Sequence, residues 1–76
     1  MIKTAAIDIE KFDNGITSTW YSEDAVITPK SRRVALEGSE ANCIGTEIWE
    51  DLKDIFAASG ENKITITLNY EVIKED

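Results

Sequence analysis

Four carboxylates, Glu47, Glu50, Asp51 and Asp54, fall within eight positions of the segment "TEIWEDLKDIFAASG". Paired carboxylates can act as general acid and base when an apolar pocket pushes their pKa values apart. Here the pattern around them is that of a solvated helix face, so acid–base catalysis is not indicated. Glu47 with Asp51, or Glu50 with Asp54, could chelate a hard cation loosely at i,i+4. Four carboxylates on one convex helix do not enclose an ion, however, and the chain has no D-x-D-x-D-G loop and no Cys/His pair. No metal or other cofactor is expected.

The remaining reactive groups are few. There is no histidine, which removes the commonest general base. Cys43 is the only thiol, and its neighbours in "ANCIG" supply neither a base nor a cation to activate it. It reads as a small buried residue. Gly15, Gly38, Gly45 and Gly60 are too scattered to form a phosphate loop. "PKSRR" at 29–33 is the one basic cluster and reads as a polar turn balancing local acids. No catalytic site is assigned, and an enzyme is not expected.

Composition sets wider limits. Seventy-six residues make one small domain, 1–76, with a thin core. A single cysteine excludes an intrachain disulfide and points to a reducing, cytoplasmic setting. No apolar run is long enough for a signal peptide or a membrane span. The net charge of −7 is unevenly placed. Residues 1–33 hold five acids and five bases, whereas residues 34–76 hold ten acids and three bases. That balance argues against direct binding of nucleic acid or an anionic membrane, both of which need clustered cations, and it suits a basic protein partner. It also serves solubility.

The elements that must position these groups follow from periodicity. In "TAAIDIEKF", Ala5, Ile7 and Ile9 alternate with polar or small residues, as in a half-buried strand. Asn14-Gly15 predicts a type I′ hairpin turn, because both residues tolerate positive φ. With that turn Ile9 faces Trp20, and Ile7, Ile9 and Trp20 share the buried face. Tyr21 then points to the other face, near Asp8 and Thr19. "AVIT" at 25–28 is a candidate third strand stopped by Pro29, and "RVALEG" at 33–38 a fourth. Residues 38–45 read as a loop or a single helical turn. The helix is expected to begin at Thr46 as N-cap and to end before Gly60. Its apolar stripe, Ile48, Trp49, Leu52, Ile55 and Phe56, spans about 120° and reads as the core face, with the four acids opposite. "NKITITLNYEVIKED" closes the chain as a long strand with strict alternation from Ile64 to Val72.

The expected fold is therefore α+β: an antiparallel sheet of about four to five strands, ββ(β)β-α-β, with one amphipathic helix packed on one face. On the helix, the like-charged pairs at i,i+3 and i,i+4 each cost about 0.2–0.5 kcal/mol, partly offset near the first turn by the helix dipole. Folding alone does not call for such a stripe. The expected function is a non-catalytic interaction module, an acidic inhibitor or adaptor. It would present Glu47, Glu50, Asp51 and Asp54, with Tyr21 as an added contact, to a basic surface, including one built to bind nucleic acid. By analogy of size and charge, such small acidic proteins are often encoded by phages and mobile elements. The alternative is an accessory subunit that assembles with itself, as a homo-oligomer, or with a larger complex through its sheet.

Overall fold

A computed structural model describes residues 2–24 and 28–74. The chain forms β1 (Thr4–Lys11), β2 (Gly15–Tyr21), β3 (Lys30–Ala35), α1 (Glu40–Ser59) and β4 (Thr65–Val72). The strands make one sheet in the order β3-β2-β1-β4. β1 pairs antiparallel with β2, and β2 antiparallel with β3, but β4 runs parallel to β1. The class is α+β, and the sheet is mixed and four-stranded among the described residues, rather than antiparallel throughout. The reason is geometric. β3 runs the same way as β1, and a helix of 20 residues returns the chain about 30 Å to the end where β3 began. The next strand can only run parallel to β3, and hence to β1. The candidate strand at 25–28 falls largely outside the described residues.

The β1–β2 register differs from expectation by two residues. Ile7 faces Trp20, Ile9 faces Ser18 and Lys11 faces Ile16. Phe12 N–H donates to the Gly15 carbonyl at 2.8 Å, so Asp13 and Asn14 are the loop residues. No residue of this turn has positive φ, which rules out the type I′ geometry expected for Asn14-Gly15. Gly15 meets a different need. A Cβ there would lie 3.0 Å from the Val34 carbonyl oxygen, so glycine lets β3 approach this closely without displacement. A shift of two preserves side-chain parity, and Ile7, Ile9 and Trp20 still share the buried face.

"PKSRR" is not a turn: Lys30–Ala35 is strand, and it places Arg32 on the inner face of the sheet beside Ser18. The helix also begins earlier than expected. Ser39 is the N-cap and accepts from the Asn42 N–H at 3.4 Å, while Thr46 lies within the helix and donates to the Asn42 carbonyl. Gly60 closes it at φ 66, as the C-terminal glycine signal implies. α1 packs over β2 and β1 and leaves β4 largely uncovered. The core is Ile2, Ala5, Ile7, Ile9, Ile16, Trp20 and Ile55, flanked by Cys43, Ile44, Ile48, Leu52 and Ile66.

Candidate functional site

The helix is rolled relative to its apolar stripe. Its buried residues are Glu47, Asp51, Ile55 and Ser59, a row at i,i+4 spacing. Ile55 continues into the core, but Trp49 and Phe56 are 57% and 53% exposed, so two of the five residues of the expected core stripe lie outside. Polar contacts account for the roll. Arg32 Nη2 donates to Asp51 Oδ1 at 2.8 Å and to the Glu47 carbonyl at 3.1 Å. Its Nε lies 3.3 Å from Glu47 Oε1. The Ser18 hydroxyl donates to the other Asp51 oxygen. At the far end of the helix, Ser59 Oγ donates to the Ile2 carbonyl at 2.6 Å. A carboxylate taken out of water must find partners of this kind, and only β2 and β3 offer them. The helix therefore tilts its acidic side down toward β3.

Burial pushes the Asp51 carboxyl above the ordinary aspartate range, against the opposing pull of the Ser18 hydrogen bond and the Arg32 charge. The group is 1% exposed and is a structural member of the helix–sheet contact.

The five residues expected to meet a partner do not form one surface. Glu47 and Asp51 are buried against Arg32. Asp54 is exposed, and Glu50 is half-buried with Lys53 Nζ at 2.9 Å. Tyr21 lies on the opposite face of the sheet, close to Asp8 and Thr19 as its parity required. There it borders a shallow depression with Glu10, Asn69 and Glu71. Asn69 Nδ2 donates to Asp8 Oδ1 at 2.8 Å across that depression. Among the described residues, no group of three or more acids or cysteines converges as a metal site. No described helix is long and apolar enough to cross a membrane.

The roll creates a different surface on the β4 side. A groove of about 390 Å³ runs between α1 and β4, lined by Ile9, Ala41, Ile44, Gly45, Ile48, Leu68 and Tyr70. Its walls carry almost no polar group. At its strand edge Leu68, Tyr70 and Val72 are about half exposed (51%, 48% and 50%). On the helix, Leu52, Phe56 and Trp49 follow one another round the same flank at 100° per residue. The Tyr70 hydroxyl donates to Glu40 Oε1 at 3.3 Å, which pins one end of the groove. Lys11 Nζ lies 3.8 Å from the other Glu40 oxygen. Burial, with the Glu40 charge beside it, raises the Tyr70 pKa, so this phenol stays a neutral donor at physiological pH.

Periodicity alone missed this surface because it assigned the whole apolar stripe to the core. One signal was present. Ser18 occupies an inward position of β2, between Ile16 and Trp20, and an inward hydroxyl needs a polar partner from the element above it. The chain matches no family model, and no curated protein or solved structure is significantly similar to it.

Proposed function

We propose that this protein is a non-catalytic interaction module whose contact surface is the apolar flank built by α1 and β4. One observation carries the proposal. Five large apolar side chains, Trp49, Phe56, Leu68, Tyr70 and Val72, stay exposed on a chain that has few large apolar residues to spare. Tyr70 lines the apolar groove and Trp49 is exposed further round α1, and Trp and Tyr are the residue types enriched at binding hot spots. The edge of β4 adds a row of backbone donors and acceptors to the same flank. This is the accessory-subunit reading, in which assembly occurs through the sheet.

The test is site-specific photo-cross-linking in cells that express the chain, with p-benzoylphenylalanine replacing Trp49 in one variant and Tyr21 in another. Covalent products are expected from position 49 and not from position 21. Products from position 21 alone would remove the α1–β4 flank from the proposal.

Acidic display ranks second. It rests on the net charge of −7 and on Glu50 and Asp54, which keep their place on the outer side of α1. A partner held this way loses affinity steeply with salt and with Glu50→Lys/Asp54→Lys, whereas a partner held by the apolar flank does not.

A further inference from the structure

We infer that a second copy of this chain occupies the β4 edge of the α1–β4 flank, paired antiparallel along β4 about a two-fold axis at Thr67. The inference rests on the contact surface proposed above and names its partner.

The backbone pattern of β4 is the starting point. Thr65 N–H donates to the Lys3 carbonyl at 2.9 Å, and Ile73 N–H to the Lys11 carbonyl at 2.8 Å. In a parallel ladder this alternation turns the odd residues of β4 toward β1. The backbone groups of Ile66, Leu68, Tyr70 and Val72 therefore point out along the open edge. The same four residues carry the apolar row on the helix side, of which Leu68, Tyr70 and Val72 are half exposed. Unpaired hydrogen-bonding groups and unburied apolar side chains coincide residue by residue.

The two edges of the sheet are treated differently. β3 follows Pro29 and bears Lys30, Arg32 and Arg33, the residue types that discourage edge-to-edge pairing. β4 carries only Glu71 near its end: from Ile64 to Tyr70 the sequence is "ITITLNY", without a charge, a proline or a glycine. The net charge of −7 per copy opposes association overall, but this stretch itself adds no like-charge contact.

Charge selects both the partner and the register. In a two-fold antiparallel pair centred on Thr67, Ile66 faces Leu68 of the other copy and Ile64 faces Tyr70. Lys63 then faces Glu71, and symmetry repeats that pair on the other side of the axis. The even-numbered pairs then exchange the seam hydrogen bonds, and the Lys63–Glu71 pair is non-hydrogen-bonded, where facing side chains are closest. Centring on Ile66 would set Glu71 against Glu61, and centring on Leu68 or Asn69 would set it against a threonine. Only the Thr67 register gives Glu71 a cation, and a second copy supplies it. Both helices sit over β1 and β2, set back from the new seam, so they do not collide.

The experiment uses the whole chain with Cys43→Ser, so that no native thiol competes. Sedimentation equilibrium should give twice the chain mass of 8.5 kDa. Adding Thr67→Cys should yield an interchain disulfide on mild oxidation, because that residue faces its own copy at a Cα separation of about 4.5 Å. Thr65→Cys should not, since its own copy lies four residues away along the seam. Glu71→Lys and Lys63→Glu should each weaken dimerisation by about tenfold, and the double variant K63E/E71K should return it to within about threefold. A dimer that ignores these swaps and is not trapped by Thr67→Cys overturns the inference. So does a monomer at every concentration. If that monomer still cross-links to another protein through position 49, the surface stands and only the second copy falls. If position 49 captures nothing, both fall.

Discussion

Arg32 on β3 and Asp51 on α1 meet at 2.8 Å across the helix–sheet contact, with Asp51 fully buried and Arg32 still reaching solvent. This pair decides which side of the helix the sheet receives. Without it, the apolar stripe from Ile48 to Phe56 would be free to centre itself on the sheet, as helix periodicity alone implies. With it, the acids at 47 and 51 are drawn toward β3, and Trp49 and Phe56 are carried outward.

Arg32→Ala removes the partner and leaves a carboxylate buried with one hydroxyl for company. Breaking a fully buried pair from one side costs about 3–5 kcal/mol, and partial exposure of Arg32 lowers the expected loss here to about 2–3 kcal/mol. The paired replacement Arg32→Met/Asp51→Leu should recover part of it, because the fully buried Asp51 charge is gone and only Glu47 then lacks its cation. Urea unfolding of both variants is the measurement. An unchanged midpoint for Arg32→Ala would show that the contact does not hold the helix.

Adjacent helix positions should respond very differently to truncation. Ile55→Ala opens a cavity in the core and should cost about 2–5 kcal/mol. Phe56→Ala, one residue on, removes a side chain that the monomer leaves half exposed and should cost less than about 1 kcal/mol. Acrylamide should likewise quench Trp49 fluorescence readily and Trp20 hardly at all in the monomer, as single-tryptophan variants would show. Equal quenching would place both indoles in the core.

Two glycines should give opposite signs. Gly15→Ala drives a Cβ to 3.0 Å from the Val34 carbonyl and should destabilise by about 1–3 kcal/mol through displacement of β3. Gly45→Ala sits in the helix interior with nothing within 4 Å, and should stabilise by about 0.5–1 kcal/mol through helix propensity. Thermal unfolding of the two variants compares them directly.

The acid response should carry two opposed contributions. The folded pKa of Asp51 is raised, chiefly by burial, so the native state holds a proton that the unfolded chain releases. Its contribution is therefore complete below the ordinary aspartate pKa and is lost as pH rises through the folded value. Asp24 is the reverse. The Thr4 hydroxyl and the amides of Lys3 and Thr4 donate to it and lower its pKa. Its contribution is present above the ordinary pKa and is lost as pH falls through the lowered one. Asp51→Asn should consequently make stability climb more steeply with pH from about pH 4 upward than in the parent chain. Asp24→Asn should flatten the climb. Denaturant midpoints across the acid range measure both slopes, and a shallower climb for Asp51→Asn would reverse the sign assigned to Asp51.

The sequence by itself determined what depends on neighbours along the chain. Alternation fixed Ala5, Ile7, Ile9 and Trp20 as inward residues, and they survived a two-residue change of register because strand parity is two. The αL glycine at 60 and the alternation in β4 were equally local signals. What only the tertiary structure decided depends on residues far apart. The hairpin loop falls at Asp13-Asn14, and Gly15 instead lies within β2 under the Val34 carbonyl of β3. β4 runs parallel to β1 because a 20-residue helix returns the chain to the end where β3 began. The four carboxylates parted because Arg32, fifteen to nineteen residues earlier, offers two of them the partner that burial requires. Helix periodicity states which residues share a side of the helix. It does not state which side the sheet will take, and a buried charge outweighs an apolar stripe because leaving it unpaired costs more than leaving Trp49 and Phe56 in water.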